Sequence, residues 1–258
     1  MQPPSREFRV DRLRVVIHAT PVAAAAAVSA EIAARLAEAP ATVLGLATGR
    51  TPIPVYEDLV RRHRRGEISF ARATTFNLDE YWPIDPGDEA SFRRFMEERL
   101  FSLVDLPAER RHLPDGAVAE ADVERACRRY EEAIAAAGGV DLQLLGVGRN
   151  GHLGFNEPGS AFDSRTRRVR LSESTRAANR EAFAPGAVPR HAVTMGLGTI
   201  LEARRPIALA TGRTKAEAVA RALLGAAGVD VPASALRTHR GAALHLDAAA
   251  AEAIPAAL

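Results

Sequence analysis

An open, mostly parallel, doubly wound α/β sheet with helices on both faces is the fold this chain predicts. Short apolar runs alternate with longer stretches whose apolar residues recur at helical spacing. Alternation of that kind points to a parallel sheet covered on both faces. Two of the strand-like runs also pass through a Gly-containing turn directly into helix-like sequence, as strand–turn–helix units do.

In chain order, residues 13–18 read as a strand, 22–37 as an Ala-rich helix, 42–47 as a strand and 54–65 as a helix. Residues 73–77 are again strand-like and 91–103 helical. Residues 123–137 have helical spacing, and 140–147 form a buried strand followed by glycines. A strand at 207–211, a helix at 214–224 and a last strand at 242–246 complete the series. No repeat or linker divides the chain, so one domain over 1–258 is expected. The stretch 148–186, rich in Gly, Pro, Ser and Arg, fits none of these patterns. Segments of that length inside compact domains are usually functional, and a lid over about 160–186 is expected.

Composition narrows the function classes. The 258 residues are 47% apolar, which argues against disorder. No run approaches the roughly 18 apolar residues of a membrane span, and the first residues do not read as a signal peptide. The net charge is +2, with Arg spread along helices and no aromatic residues interleaved to stack bases. Neither nucleic acid nor membrane is expected as a partner. A lone Cys127 fits a reducing cytoplasm.

Chemistry concentrates in two runs, Thr75-Phe76-Asn77-Leu78-Asp79-Glu80-Tyr81 and Gly151-His152-Leu153-Gly154-Phe155-Asn156-Glu157-Pro158. Each is expected to form a loop after a strand, where open parallel sheets carry their sites. A carboxylate from one loop, with a His and a Glu from the other, suits proton transfer. Loop solvation or helix capping is the alternative for Asp79, Glu80 and Tyr81, and for Glu80 the two readings weigh the same. An imidazole at His152 oriented by Glu157 makes a proton shuttle near neutral pH, the alternative being a His that only closes a loop hydrogen bond, the commoner case for an arbitrary His. No second His or Cys is close enough in sequence to suggest a metal site.

Two turns suit an anion. In Thr48-Gly49-Arg50-Thr51-Pro52, a strand–helix turn offers backbone N–H groups, hydroxyls and an Arg to a phosphate. The same run reads equally well as a turn whose helix Thr51 caps. Thr211-Gly212-Arg213-Thr214-Lys215 repeats the device with a Lys in the first helical turn, unfavourable to the helix dipole, which a bound anion would offset; the alternative is a Lys that extends to solvent. Gly146-Val147-Gly148-Arg149-Asn150-Gly151 matches Gly-x-Gly-x-x-Gly. The glycines and proline that follow forbid the helix a dinucleotide site needs, so these glycines are expected to let backbone pass close to a small substrate.

Together these runs, with Thr194-Met195-Gly196-Leu197-Gly198-Thr199-Ile200, resemble the glucosamine-6-phosphate deaminase (isomerase) family over nearly the whole chain. The related 6-phosphogluconolactonases share the fold and a Gly-His element but lack Phe-Asn-Glu-Pro. The resemblance implies ring opening of glucosamine 6-phosphate, aldose–ketose isomerisation and release of ammonia, within amino-sugar catabolism and without cofactor or metal. It implies Asp79 as the base at C2, and His152, Glu157 and Asn150 as a relay for ring opening. Thr48, Gly49, Arg50, Thr51, Lys215, Glu80 and Arg180 are the expected substrate- and phosphate-binding residues. Asn150 stands where some members carry Asp, Arg50 where a small residue is usual, and Glu181 where some carry a lid Arg. A 6-phosphogluconolactonase-like hydrolase or another sugar-phosphate isomerase is the enzymatic alternative, and a non-catalytic sugar-phosphate sensor is the rival of another class. Homo-oligomerisation is left open.

Overall fold

The computed structural model describes residues 6–184 and 187–256. The chain opens with a hairpin, β1 (Arg6–Val10) and β2 (Leu13–His18), turned at Asp11, whose φ of 51° is tolerated by Asp. Helix α1 (Pro21–Glu38) starts at Thr20, whose hydroxyl accepts from the Ala23 N–H, with Pro21 in the first turn. Its buried stripe, Ala24, Ala25, Val28, Ile32 and Leu36, lies on the sheet.

β3 (Val43–Leu46), α2 (Ile53–Arg64) and β4 (Thr74–Asn77) follow, and then β5 (Asp79–Trp82), α3 (Phe92–Arg99) and β6 (Arg111–His112). The expected helix over 91–103 breaks after Arg99 into a 3-10 turn. α4 (Val123–Ala136) leads to β7 (Leu142–Gly146). Beyond it come β8 (Arg167–Arg170), α5 (Glu173–Asn179), β9 (His191–Thr194), α6 (Leu197–Leu201), β10 (Arg205–Ala210), α7 (Ala216–Leu224) and β11 (Ala243–Asp247).

Among the described residues, eight strands form one sheet in the order β1-β2-β11-β10-β7-β3-β4-β6, parallel except for β1 at the edge. The chain runs outward from β3 to β4 and β6, then returns to the opposite side of β3 with β7. Right-handed crossovers put helices on opposite faces on the two sides of that reversal. α1 and α2 pack together on one of them. The C-terminal ends of β3 and β7 diverge at the reversal, which makes it the switch point where ligands bind in such sheets. One large apolar core fills both faces, anchored by Tyr56, Phe70, Phe76 and Phe101.

Two sequence expectations are corrected. Residues 79–82 are a strand rather than a loop: β5 joins β9 and β8 in a second, antiparallel sheet of three strands. Part of the irregular stretch 148–186 is likewise strand and helix. Apolar patterning hid this sheet because β5 is Asp-Glu-Tyr-Trp and β8 is Arg-Arg-Val-Arg. No helix among the described residues is long and apolar enough to cross a membrane.

Candidate active site

A cavity of about 990 Å³ opens at the switch point, between the turns that follow β3, β7 and β10. Thr48, Gly49, Arg50 and Thr51 line it from the first turn. Helix α2 takes Pro52 as its N-cap with no side-chain capping bond, so Thr51 does not cap and its hydroxyl stays available to the cavity. Gly49 has φ +98°, and a Cβ there would meet nothing within 4 Å. The turn is therefore open toward the cavity.

Opposite it, the 3-10 turn Arg213–Lys215 places Lys215 in the cavity wall. Burial, and then the Arg149 charge, pull the Lys215 ammonium below its usual range. Arg149 lines the same cavity. Two cations crowded into one cleft repel each other unless an anion lies between them. In the sequence Arg149 is masked by the Gly-x-Gly-x-x-Gly match around it, and only the fold sets its charge beside Lys215.

Asp79 is the first residue of β5, 5% exposed, and lines the cavity. Burial, and then the neighbouring Glu80 charge, push its carboxyl up to about 8. Gly154 lies directly against it. A Cβ at residue 154 would stand 3.2 Å from Asp79 Oδ2 and 2.9 Å from Thr194 Oγ1, and φ is +57°. Glu80 does not line the cavity. Its carboxylate accepts from the backbone N–H of Tyr81, Phe92 and Arg93 at 2.9 Å each, anchoring the start of α3. The helix-capping reading of Glu80 thus replaces substrate binding.

The loop after β7 closes tightly, with Gly148 N–H donating to His152 O and Gly151 N–H to Gly148 O. The His152 ring occupies the space a side chain at 148 would need, since a Cβ there would lie 2.3 Å from the ring. Gly148 and Gly154 make room for His152 and Asp79, and Gly146 and Gly148 also bring backbone to the cavity wall. Burial holds His152 below its usual range, against the pull of Glu157. The expected bond between them is not made: His152 Nδ1 lies 3.8 Å from Glu157 Oε2 and is buried without a hydrogen-bond partner.

Glu157 is satisfied by other groups. Asn150 Nδ2 donates to Oε2 at 2.6 Å, Ser172 Oγ donates to Oε1 at 3.0 Å, and Thr175 Oγ1 also donates to Oε1. Burial alone would raise this carboxyl, but the bonds from Thr175 and Asn150, the His152 charge and the Ser172 bond hold it below its usual range. Asn150 also accepts from the His152 backbone N–H at 3.2 Å. It braces both partners. Ser172 and Thr175 carry no charge and stand in an irregular-looking segment; the signal for them in the sequence is a Ser placed to cap a short helix.

α5 forms one wall of the cavity through Ser174, Thr175, Ala178 and Asn179. Just beyond it, Glu181 meets Arg50 at 2.6 Å across the mouth, both side chains well exposed. Arg180 is exposed and does not line the cavity in this arrangement. The segment is better packed than its composition implies. Leu171 is buried with Tyr81 and Phe155, and Val169 and Phe183 pack against them. Ser164 O accepts from Gly198 N–H and Ser164 Oγ from Leu197 N–H, and Arg165 pairs with Glu131 at 2.6 Å. Two residues of the expected lid, 185 and 186, lie outside the described residues.

Residues 18–245 match the family described as glucosamine-6-phosphate isomerases/6-phosphogluconolactonase. The chain is 51% identical over 229 residues to a glucosamine-6-phosphate deaminase of Rhodopirellula baltica, covering 88% of this chain and 90% of the relative. It is 45% identical over 222 residues to one from a Thermoanaerobacter species, covering 86% and 87%. Among solved structures, a monomeric glucosamine-6-phosphate deaminase aligns with a TM-score of 0.90 at 42% identity, over 93% of this chain and 99% of that one. A 6-phosphogluconolactonase from Trypanosoma brucei aligns at 0.74 and 23% identity over 97% and 100%, a likeness of fold.

Proposed function

This chain belongs to the glucosamine-6-phosphate isomerase/6-phosphogluconolactonase family, and within it we propose that the protein is a glucosamine-6-phosphate deaminase. It converts glucosamine 6-phosphate and water to fructose 6-phosphate and ammonia. The observation that carries this reading is one cavity in which Asp79 and His152 face a phosphate-sized turn and Lys215. A binding module has no use for a buried carboxyl pushed up to about 8. The identity to named deaminases over most of the chain favours this branch over the lactonases, whose likeness is one of fold.

The phosphate sits among the amides and hydroxyls of Thr48–Thr51 with Lys215, which fixes the far end of the sugar and orients C1 and C2. Arg149 adds charge at the mouth, where Arg50 is paired with Glu181. His152, positioned by Asn150 and charge-balanced by Glu157, moves the proton between O1 and O5 that opens the ring. Asp79 takes the proton from C2 and returns it to C1 while a proton passes from the C2 ammonium to O1, so the aldehyde becomes the C1 hydroxyl and C2 a ketiminium. Water adds to the ketiminium carbon and ammonia leaves, giving the ketose. Residues 173–184 act as the movable part of a lid, while β8 and the 160–171 stretch stay anchored. Cytoplasmic amino-sugar catabolism is the setting that fits this substrate and the single buried Cys127.

The deciding assay is ammonia release from glucosamine 6-phosphate, with hydrolysis of 6-phosphogluconolactone run in parallel. Ammonia from the amino sugar, without lactone hydrolysis, is expected. Lactone hydrolysis alone assigns the other branch, and neither activity with tight sugar-phosphate binding assigns a sensor.

A further inference from the structure

Glu157 is held at both oxygens. Asn150 occupies Oε2, and the two hydroxyls on Oε1 come from a different element, the start of α5. Ser172 is the α5 N-cap: its Oγ accepts from the Thr175 N–H at 3.1 Å while its proton goes to Glu157. Thr175 is 5% exposed, and its hydroxyl donates to Glu157 rather than to the preceding turn of the helix. The same helix forms the cavity wall through Ser174, Thr175, Ala178 and Asn179. Docking of α5 and the pose of Glu157 are therefore one geometric event.

We infer that Ser172 and Thr175 are positioning residues that set the proton relay according to whether α5 is docked on the cavity. With α5 in place, both hydroxyl protons point at Oε1 and the carboxylate is held as an anion beside His152. With α5 withdrawn, Oε1 loses both donors and only Asn150 still holds Oε2, so the carboxylate is no longer fixed in direction beside His152. His152 Nδ1, unbonded at 3.8 Å from Oε2, leaves the carboxylate room for that change. Chemistry is thereby confined to the closed cavity, where the open-chain sugar is shielded from water. This rests on the reading of His152 and Glu157 as the ring-opening pair.

Thr175→Val and Thr175→Ser separate this role from packing. Val keeps the shape and removes the hydroxyl; Ser keeps the hydroxyl and removes a methyl. Removing one hydrogen bond to a charged group is worth roughly tenfold or more, so kcat of Thr175→Val is expected to fall by about that factor with KM unchanged, while Thr175→Ser keeps most of its turnover. Ser172→Gly is the second variant, because Gly still starts α5 with little loss but has no hydroxyl to donate to Glu157 and adds no charge beside it. It is expected to lose kcat with α5 intact by circular dichroism and melting temperature. Native kcat in Thr175→Val, equal losses in the Val and Ser variants, a loss carried by KM alone, or a fully active Ser172→Gly would each overturn the inference. Glu157→Gln is measured alongside. If it keeps native activity, the reading of the relay fails. If it is slow while Thr175→Val is native, only the present inference fails.

Discussion

Asp79 and Glu80 are neighbouring carboxyls on one strand with opposite outlooks. Asp79 faces the cavity against Gly154, and Glu80 turns away to accept three backbone N–H groups at the start of α3. The Glu80 charge, added to burial, helps to push Asp79 up to about 8. Asp79→Asn keeps the shape of the base without its capacity to accept a proton. Turnover is expected to fall at least the roughly 100-fold that general-base catalysis supplies, with KM retained. Steady-state ammonia release measures both; near-native turnover removes Asp79 as the base.

The same carboxyl sets a pH dependence. A base works only when ionised, so kcat/KM is expected to fall as pH drops below about 8. The stability consequence has a definite sign. Asp79 is raised in the folded state, so the unfolded chain loses this proton first as pH rises above the ordinary carboxyl value of 3.8. Folding is therefore penalised increasingly up to about pH 8. Asp79→Asn is expected to melt higher than the parent at pH 8, with the gap closing toward pH 4. Thermal melts across that range check it, and a gap that does not change with pH contradicts it.

Lys215→Ala is expected to act on binding. Loss of a charge-assisted hydrogen bond to phosphate costs about 1.5–3 kcal/mol, or about 10- to 150-fold in KM. Arg149→Ala has a smaller effect of the same kind, since Arg149 is exposed at the mouth and screened by water. In that variant the Lys215 ammonium titrates closer to its usual range, because a repelling charge is gone. Kinetics with phosphorylated and unphosphorylated glucosamine read the first effect; an unchanged KM in Lys215→Ala shows that the phosphate lies elsewhere.

The Arg50–Glu181 pair is 88% and 82% exposed, so it contributes on the order of 0–1 kcal/mol and does not lock the mouth. Residues 173–184 are expected to exchange amide hydrogens faster than β7 or β10 without ligand, and to become protected when a sugar phosphate binds. Residues 167–170, bonded into the second sheet, are expected to be protected in both states. Hydrogen exchange with and without a substrate-like inhibitor distinguishes them. Uniform protection across 173–184 in both states means a rigid wall.

What was legible in the sequence follows from burial. Strands such as β7 and β10 lie within the sheet and are apolar at most positions, so their runs stood out. β1 and β8 carry charges at the edges of their sheets, and β5 buries Asp and Glu with Tyr and Trp, so none showed an apolar signature. Failing to see β5 as a strand also obscured Glu80. In a loop, two adjacent carboxyls have no set directions, whereas in a strand they face opposite sides. His152 and Glu157 were legible as neighbours in one loop, though the bond expected between them is not made. The hydroxyls that hold Glu157 come from residues 15 and 18 positions further on, and only the folded path of the chain brings them there.

Leu78 is the single residue between β4 and β5. Its N–H donates to Leu46 O of β3 at 2.9 Å, and its carbonyl accepts from Met195 N–H, just past β9, at 2.7 Å. The peptide that carries Asp79 is thus clamped between two sheets, one on each side of the seam. Whatever travels during a catalytic cycle must be the sugar, the imidazole loop or α5. The carboxyl at residue 79 is the stationary mark to which each of them is brought, and a change that loosened the seam would blur the register of every other part of the site at once.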